Sequence, residues 1–216
     1  MRLPQPPLLV ITDRRQARAP LERVAEAVFA AGGRWLSLRE KDLDPVARTA
    51  LLQRLVAVAR PHGALVSVHE DVAAALAAGA AGAHLPAGVS PAAARAALGA
   101  AALIGASAHA ESELPSLAAA GADYATLSPV FASPSKPGYG PALGLERLAR
   151  AAASTRLPLI ALGGVDAGNL GRCIAAGAAG IAVMGAVMRA DAPGAVMAGL
   201  IKTLSEALAA RGEPAS

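Results

Sequence analysis

The chain is poor in cysteine, in aromatic residues and in lysine, and each shortage excludes something. Its single cysteine, Cys173, cannot form a disulfide within the chain, which fits a protein of the reducing cytoplasm. Aromatic residues make up 2% of the 216 residues, so the core must consist mainly of Ala, Val, Leu and Ile. Only three of the 20 basic residues are lysines, namely Lys41, Lys136 and Lys202.

The charged residues form no stripe or block that would mark a polyanion-binding surface. A net charge of +4 is spread over the whole chain. A nucleic-acid-binding surface combines clustered basic residues with aromatic side chains for stacking, so we expect no nucleic-acid partner. The apolar run near the N-terminus is too short for a signal peptide, and the uncharged stretch 72–94 contains two prolines. We therefore expect a cytoplasmic protein with no membrane partner.

An internal repeat predicts the fold. The sequences AAGGRWLSL (30–38), AAGAAGAHL (77–85), AAGADYATL (119–127) and AAGAAGIAV (175–183) each indicate a helix ended by glycine and followed by a buried strand. Further apolar strands are predicted between them at LLVIT (8–12), ALVSV (64–68), ALIGAS (102–107) and LPLIAL (157–162). Eight strand–helix units predict an α/β protein, a single-domain (β/α)8 TIM barrel over residues 1–216 with a core of about 8–210. A doubly wound open sheet is the alternative.

Titratable and hydroxyl side chains concentrate at the predicted carboxyl ends of the strands, where TIM barrels carry their function. They are Arg39 and Lys41 after strand 2, His69 and Glu70 after strand 3, His84 in strand 4, and Ser107 and His109 at strand 5. His84 lies within an apolar strand, so it is either a buried structural histidine or a catalytic one. Proton transfer needs a group that titrates near neutral pH, and His109, His69 and Glu70 are the candidates.

Glycines after the last two strands indicate a phosphate site. Gly163 and Gly164 follow strand 7, and Met184 and Gly185 follow strand 8. Backbone N–H groups next to glycine can approach a phosphate closely, and many barrels bind phosphate at this place. We therefore predict that these four residues bind a phosphate group of the substrate.

Five stretches together resemble the thiamine phosphate synthase/TenI superfamily over nearly the whole chain. They are SLREKD (37–42), GASAHA (105–110), LSPVFASPSKPGYGPALG (127–144), IALGGV (160–165) and IAVMGAV (181–187). In that superfamily, thiamine phosphate synthase joins hydroxymethylpyrimidine diphosphate to a thiazole phosphate and expels pyrophosphate with Mg²⁺. Its relative TenI tautomerises a thiazole phosphate.

The resemblance implies roles for individual residues. Positions that hold the diphosphate are matched by Arg39, Lys41, Ser107 and Lys136, and the thiazole-phosphate site by Gly163, Gly164, Met184 and Gly185. Ser133 and Ser135 flank Lys136 in the stretch SPSKPGYG (133–140) and are expected to donate hydrogen bonds to the same phosphate groups.

Five positions depart from the patterns of this superfamily. Ser37 stands where the synthase has a glutamine that contacts the pyrimidine, and His69-Glu70 stands where an Asn-Asp pair ends strand 3. Val89 takes the place of a second metal-binding carboxylate, which leaves Glu70 as the candidate Mg²⁺ ligand. The acid/base histidine of TenI falls on Pro129.

Several interpretations remain open at this point. The first is a TenI-like tautomerase of thiazole phosphate, which requires no cofactor and for which His109 is the preferred acid/base. The second is a thiamine phosphate synthase that uses Mg²⁺, and the SPSKPGYG stretch favours it. The others are a non-catalytic regulatory barrel and a different phosphosugar isomerase. A small phosphorylated molecule is the expected partner in each case, and a homo-oligomer is compatible with the sequence.

Overall fold

The strands of the protein are short, buried and parallel. The computed structural model describes residues 3–132 and 142–212, and within them eight strands close into a barrel in chain order. These strands are β1 (Leu8–Ile11), β2 (Trp35–Leu38), β3 (Leu65–His69), β4 (Gly82–Leu85), β5 (Leu103–Ala108), β6 (Tyr124–Leu127), β7 (Leu159–Ala161) and β8 (Gly180–Val183). The pairing of β1 with β8, with Leu8 opposite Ile181, completes the closure. The predicted TIM barrel is confirmed, and the open sheet is wrong.

Helices follow the strands and pack around the barrel. They are α1 (Leu21–Ala30), α2 (Pro45–Ala59), α3 (Val72–Ala78), α4 (Pro91–Leu98), α5 (Leu114–Ala119), α6 (Gly144–Ser154), α7 (Leu170–Ala175), α8 (Gly185–Met188) and α9 (Pro193–Ala210). The repeated glycines after α1, α3, α5 and α7 all have positive φ, as a glycine that ends a helix requires: Gly32, Gly79, Gly121 and Gly177. None of the described helices is both long and apolar enough to cross a lipid bilayer.

One strand is shorter than its sequence indicates. The apolar run 157–162 predicts six strand residues, but β7 covers only Leu159–Ala161. Pro158 precedes β7 and has no N–H to donate to a neighbouring strand, although its carbonyl accepts from the Ala125 amide at 3.0 Å. Leu159 is therefore the first residue of β7 that can both donate and accept hydrogen bonds in the sheet, which an apolar pattern alone does not reveal.

The interior of the barrel has an apolar layer and, towards the carboxyl ends of the strands, a polar layer. Trp35 and Tyr124, the first residues of β2 and β6, form an edge-to-face pair with ring centroids 4.8 Å apart. They belong to an apolar cluster that fills the barrel below, with Leu9, Ile11, Leu103, Ile160 and Ala182. Residues further along the same inward faces are polar instead: Ser37, Ser67, His84, Ser107 and Thr126. Polar side chains therefore line the interior towards the carboxyl ends of the strands.

Candidate active site

The turn after β2 is anchored by a buried carboxylate that the sequence analysis did not single out. Glu40 is 4% exposed and accepts hydrogen bonds from the Thr12 hydroxyl at 2.7 Å and from the Arg14 amide at 3.1 Å. The Thr12 hydroxyl in turn accepts from the backbone amide of Arg39 at 2.9 Å. Burial raises the pKa of Glu40 despite these donors. Glu40 thus ties the loop after β1 to the segment that carries Arg39 and Lys41.

The two cations beside Glu40 differ in exposure and surroundings. The Lys41 side chain is 56% exposed, and its Nζ lies 3.1 Å from a carboxylate oxygen of Glu70 at the end of β3. Arg39 lies close enough to His84 for its charge to contribute to the lowered pKa of that histidine. The buried Glu40 lies between them in the turn after β2, and its hydrogen bonds fix the backbone that carries both cations.

The end of β3 brings His69 and Glu70 into contact with β4. Glu70 has a φ of 68°, which is unusual for a residue other than glycine, and its amide donates to the His84 carbonyl at 2.9 Å. Its carboxylate lies 3.3 Å from Nε2 of His69. The His69 ring stacks on that of His84, with centroids 5.2 Å apart. A histidine, His69, and a lysine, Lys41, therefore meet at the same carboxylate oxygen of Glu70.

His84 is a buried member of the polar layer, in keeping with the structural alternative for this residue. Nδ1 of its ring lies 3.0 Å from the Tyr124 hydroxyl, and Nε2 lies 3.0 Å from Oγ of Ser107. Both partners are side chains. Burial, aided by the charges of His69 and Arg39, lowers the pKa of His84 to about 3.

His109 lies on another part of the rim, between β5 and β6. Its Nδ1 donates to the carbonyl of Ser128 at 2.7 Å, and its backbone amide donates to the Glu113 carboxylate at 3.0 Å. The ring borders a cavity of about 260 Å³ that Arg147 and Arg150 also line. A backbone carbonyl can only accept, so Nδ1 of His109 carries a proton.

The glycines after β7 and β8 are in close contact with other parts of the chain. A Cβ at Gly163 would lie 2.7 Å from Cα of Pro129, and one at Gly164 would lie 2.6 Å from the Ala132 carbonyl oxygen. A Cβ at Gly185 would overlap the guanidinium of Arg189. Packing against backbone atoms therefore accounts for glycine at 163 and 164, whether or not a phosphate binds there, whereas the Arg189 side chain beside Gly185 could move aside. Met184 separates β8 from α8.

Three predicted phosphate-binding residues, Ser133, Ser135 and Lys136, lie outside the described residues. Five other site residues predicted from the sequence lie around the ends of β2, β3 and β5: Arg39, Lys41, His69, Glu70 and Ser107. His84 connects β3 to β5 in this group.

Comparison with known proteins identifies the family. The sequence profile described as thiamine monophosphate synthase matches residues 8–187. The chain belongs to the thiamine monophosphate synthase family. A protein of Geobacter sulfurreducens that is provisionally named a thiamine-phosphate synthase is 39% identical over 183 residues, covering 84% of this chain and 86% of its own.

Two further members of the thiamine monophosphate synthase family show how far the similarity extends. A thiamine-phosphate synthase of Gloeobacter violaceus is 41% identical over 186 residues and is longer, so that 86% of this chain spans 54% of that protein. The structure of thiamine phosphate pyrophosphorylase from Pyrococcus furiosus superposes with a TM-score of 0.84 at 29% identity, covering 93% of this chain and 96% of its own. Both sequence and fold therefore agree with the resemblance seen in the motifs.

Replacement of Glu40 with alanine tests its anchoring role. We expect the free energy of unfolding to fall by about 2 kcal/mol, because the Thr12 hydroxyl and the Arg14 amide would lose their buried acceptor. Urea unfolding followed by circular dichroism measures the change. The matched control is Asp42→Ala, which removes an exposed carboxylate bound to the same arginine at 2.8 Å and should have little effect. Equal effects of the two substitutions would contradict the anchoring role.

Proposed function

We propose that this protein is a thiamine-phosphate synthase, which couples hydroxymethylpyrimidine diphosphate to a thiazole phosphate and releases pyrophosphate. The observation that carries the proposal is the pair of cations Arg39 and Lys41, which the buried Glu40 holds at the strand ends. The names of the family members support the synthase over the thiazole-phosphate tautomerase that the sequence analysis placed first. Both substrates are small phosphorylated molecules.

The cations suit the charge that the coupling reaction develops. A bond forms between the thiazole nitrogen and the pyrimidine methylene carbon, while the bond from that carbon to the diphosphate oxygen breaks. Pyrophosphate leaves with the electron pair, so negative charge grows on its oxygens. Arg39 and Lys41 would stabilise that charge, and the hydroxyl of Ser107 would donate a hydrogen bond to it.

The pyrimidine would lie against the inward face of β2. Ser37 is 1% exposed, and within the described residues its hydroxyl has no hydrogen-bond partner. A buried hydroxyl without a partner costs free energy, and a polar group of the substrate could satisfy it. Because serine is shorter than the glutamine that the resemblance implies, we expect the substrate to reach deeper into the barrel here.

A Mg²⁺ ion is compatible with the residues at the end of β3. Within the described residues, no group of three or more His, Cys, Asp or Glu side chains is arranged to hold a metal ion, but Glu70 offers one carboxylate. Mg²⁺ commonly binds through one or two carboxylates together with substrate phosphates. Glu70 would therefore hold the ion. Its positive charge would neutralise the negative charge of the leaving pyrophosphate.

The thiazole phosphate would bind at the other side of the barrel mouth. Gly163 and Gly164 after β7 and the Met184–Gly185 turn after β8 would supply the backbone N–H groups that bind it. We propose that Lys136, with Ser133 and Ser135, contacts the diphosphate from the segment after β6, as the resemblance implies.

A thiazole-phosphate tautomerase is the second candidate, and the histidines favour it. His69 contacts Glu70 at 3.3 Å at the mouth of the barrel, and His109 lies between β5 and β6, where its Nδ1 donates to the Ser128 carbonyl at 2.7 Å. Either histidine could take a proton from the thiazole phosphate and return it at another atom. This reaction needs no metal ion and no second substrate.

Product analysis distinguishes the two activities. Purified protein is given thiazole phosphate alone, and then together with hydroxymethylpyrimidine diphosphate and Mg²⁺, and products are followed by mass spectrometry and NMR. We expect thiamine phosphate and pyrophosphate to form in equal amounts in the second reaction. Conversion of the thiazole to its tautomer without coupling would support the tautomerase, and binding without turnover would support a regulatory barrel.

A further inference from the structure

A hydrogen-bonded chain crosses the inside of the barrel from Tyr124 to Ser107. The hydroxyl of Tyr124 lies 3.0 Å from Nδ1 of His84, and Nε2 on the other side of the same ring lies 3.0 Å from Oγ of Ser107. Tyr124 is fully buried and His84 is 3% exposed, whereas Ser107 is only partly buried. The chain therefore runs from the apolar interior to the barrel mouth.

The direction of the first hydrogen bond follows from the burial of Tyr124. Among the described residues, Nδ1 of His84 is the only hydrogen-bond partner of the Tyr124 hydroxyl. If Nδ1 carried a proton, the hydroxyl would accept it and its own hydrogen would have no acceptor in a fully buried place. Such a group costs free energy, so the Tyr124 hydroxyl donates and Nδ1 accepts.

The second hydrogen bond then has a defined direction as well. A neutral imidazole carries one N–H, and with Nδ1 accepting, the proton is on Nε2. Because Nδ1 accepts, the ring of His84 is uncharged, and Tyr124 keeps the proton that it donates. Nε2–H therefore donates to Oγ of Ser107 at 3.0 Å, with Oγ1 of Thr126 further away at 3.3 Å.

This arrangement leaves the hydrogen of the Ser107 hydroxyl available to an acceptor other than His84. Because Oγ accepts from His84, the serine hydrogen cannot point at the histidine and is free to bind another acceptor. Donation to Oγ also polarises the hydroxyl and strengthens the bond that it donates. An anionic phosphate oxygen accepts such a bond but cannot supply one.

We propose that His84 is a positioning residue which, fixed in its Nε2–H form by Tyr124, turns the Ser107 hydroxyl hydrogen towards the phosphate oxygens of the substrate. The role in binding rests on the proposed function, in which Ser107 contacts the diphosphate. The orientation of the chain is a property of the protein without substrate. The two parts can therefore be tested separately.

The first test measures the protonated nitrogen of His84 directly. Protein labelled with ¹⁵N-histidine and free of ligand is studied by long-range ¹H–¹⁵N correlation spectra, and His84→Gln assigns the His84 signals among the four histidines. We expect protonated Nε2 in the native protein. In Tyr124→Phe, which lacks the hydroxyl donor, we expect the Nδ1 signal to move towards the chemical shift of a ring nitrogen that accepts no hydrogen bond. An Nδ1–H form in the native protein would overturn the proposal.

The second test measures the effect on anion binding. Inorganic pyrophosphate is titrated into the protein by calorimetry, and Ser107→Ala and His84→Met are each expected to weaken binding about tenfold. The double variant should bind no more weakly than Ser107→Ala alone, since both substitutions remove the same donated bond. The control is His62→Gln, which alters a histidine bound to Glu26 at 3.0 Å and should leave binding unchanged.

The outcomes separate this proposal from the proposed function. Additive losses, or an unchanged dissociation constant in a folded His84→Met variant, would overturn the positioning role while leaving the synthase intact. If His84→Met fails to fold, His84→Leu replaces it in the titration with the same expected loss. If native protein does not bind pyrophosphate, the diphosphate site of the proposed function fails, and the NMR spectra still decide the orientation of His84.

Discussion

Replacement of Gly82 with alanine is expected to lower the free energy of unfolding by about 3 kcal/mol or more, because the barrel has no room for the added methyl group. The Cβ would overlap the backbone carbonyl oxygen of Leu103 on β5. Gly82 is paired on both sides, with Ser67 of β3 and with Leu103 of β5. In a closed barrel β4 cannot move away from β5 without disturbing its pairing with β3.

A second glycine provides the control for this experiment. Gly199 lies on the exposed side of α9, and a Cβ there would meet no atom within 4 Å. Gly199→Ala should therefore stabilise the protein by about 0.5–1 kcal/mol, through the higher helix propensity of alanine. Urea unfolding of both variants measures the two effects. A folded Gly82→Ala protein with native stability would show that β4 and β5 can separate locally.

Replacement of Lys41 with methionine is expected to lower kcat/KM for the coupling reaction about 100-fold, with little change in stability. The substitution keeps most of the side-chain volume and removes the charge that we propose acts on the leaving pyrophosphate. Because the Lys41 side chain is 56% exposed, its ion pair with Glu70 should contribute about 0.5 kcal/mol or less to folding.

Lys202→Met is the matched control for Lys41→Met, because Lys202 is an exposed lysine of α9, remote from the strand ends. It should leave both kcat/KM and the melting temperature unchanged. The rates are measured by following pyrophosphate release at saturating Mg²⁺. Equal rates for native protein and Lys41→Met would show that Lys41 does not act at the proposed diphosphate site. A large drop in melting temperature would show that the lysine has a structural role.

Local sequence patterns predict most of the fold. The repeated Ala-Ala-Gly units mark where helices end, because glycine readily takes the positive φ found at Gly32, Gly79, Gly121 and Gly177. Continuous apolar runs mark the buried strands, and chain-order pairing follows from eight such units. Since all strands are parallel, their carboxyl ends meet at one face. The sequence alone therefore predicts that Arg39, Lys41, His69, Glu70 and Ser107 lie at the same end of the barrel.

The sequence determined the barrel and the place of its functional end, whereas the tertiary structure decided how individual side chains are used there. Glu40 looks like an exposed charge between two cations, yet it binds Thr12, 28 positions earlier, and is buried. His84 meets Ser107 across 23 positions and Tyr124 across 40. Such contacts depend on the register between strands and on which side chains share the inside of the closed barrel. A local sequence pattern predicts neither the register nor the set of side chains inside the barrel, because both are established only when distant strands pair.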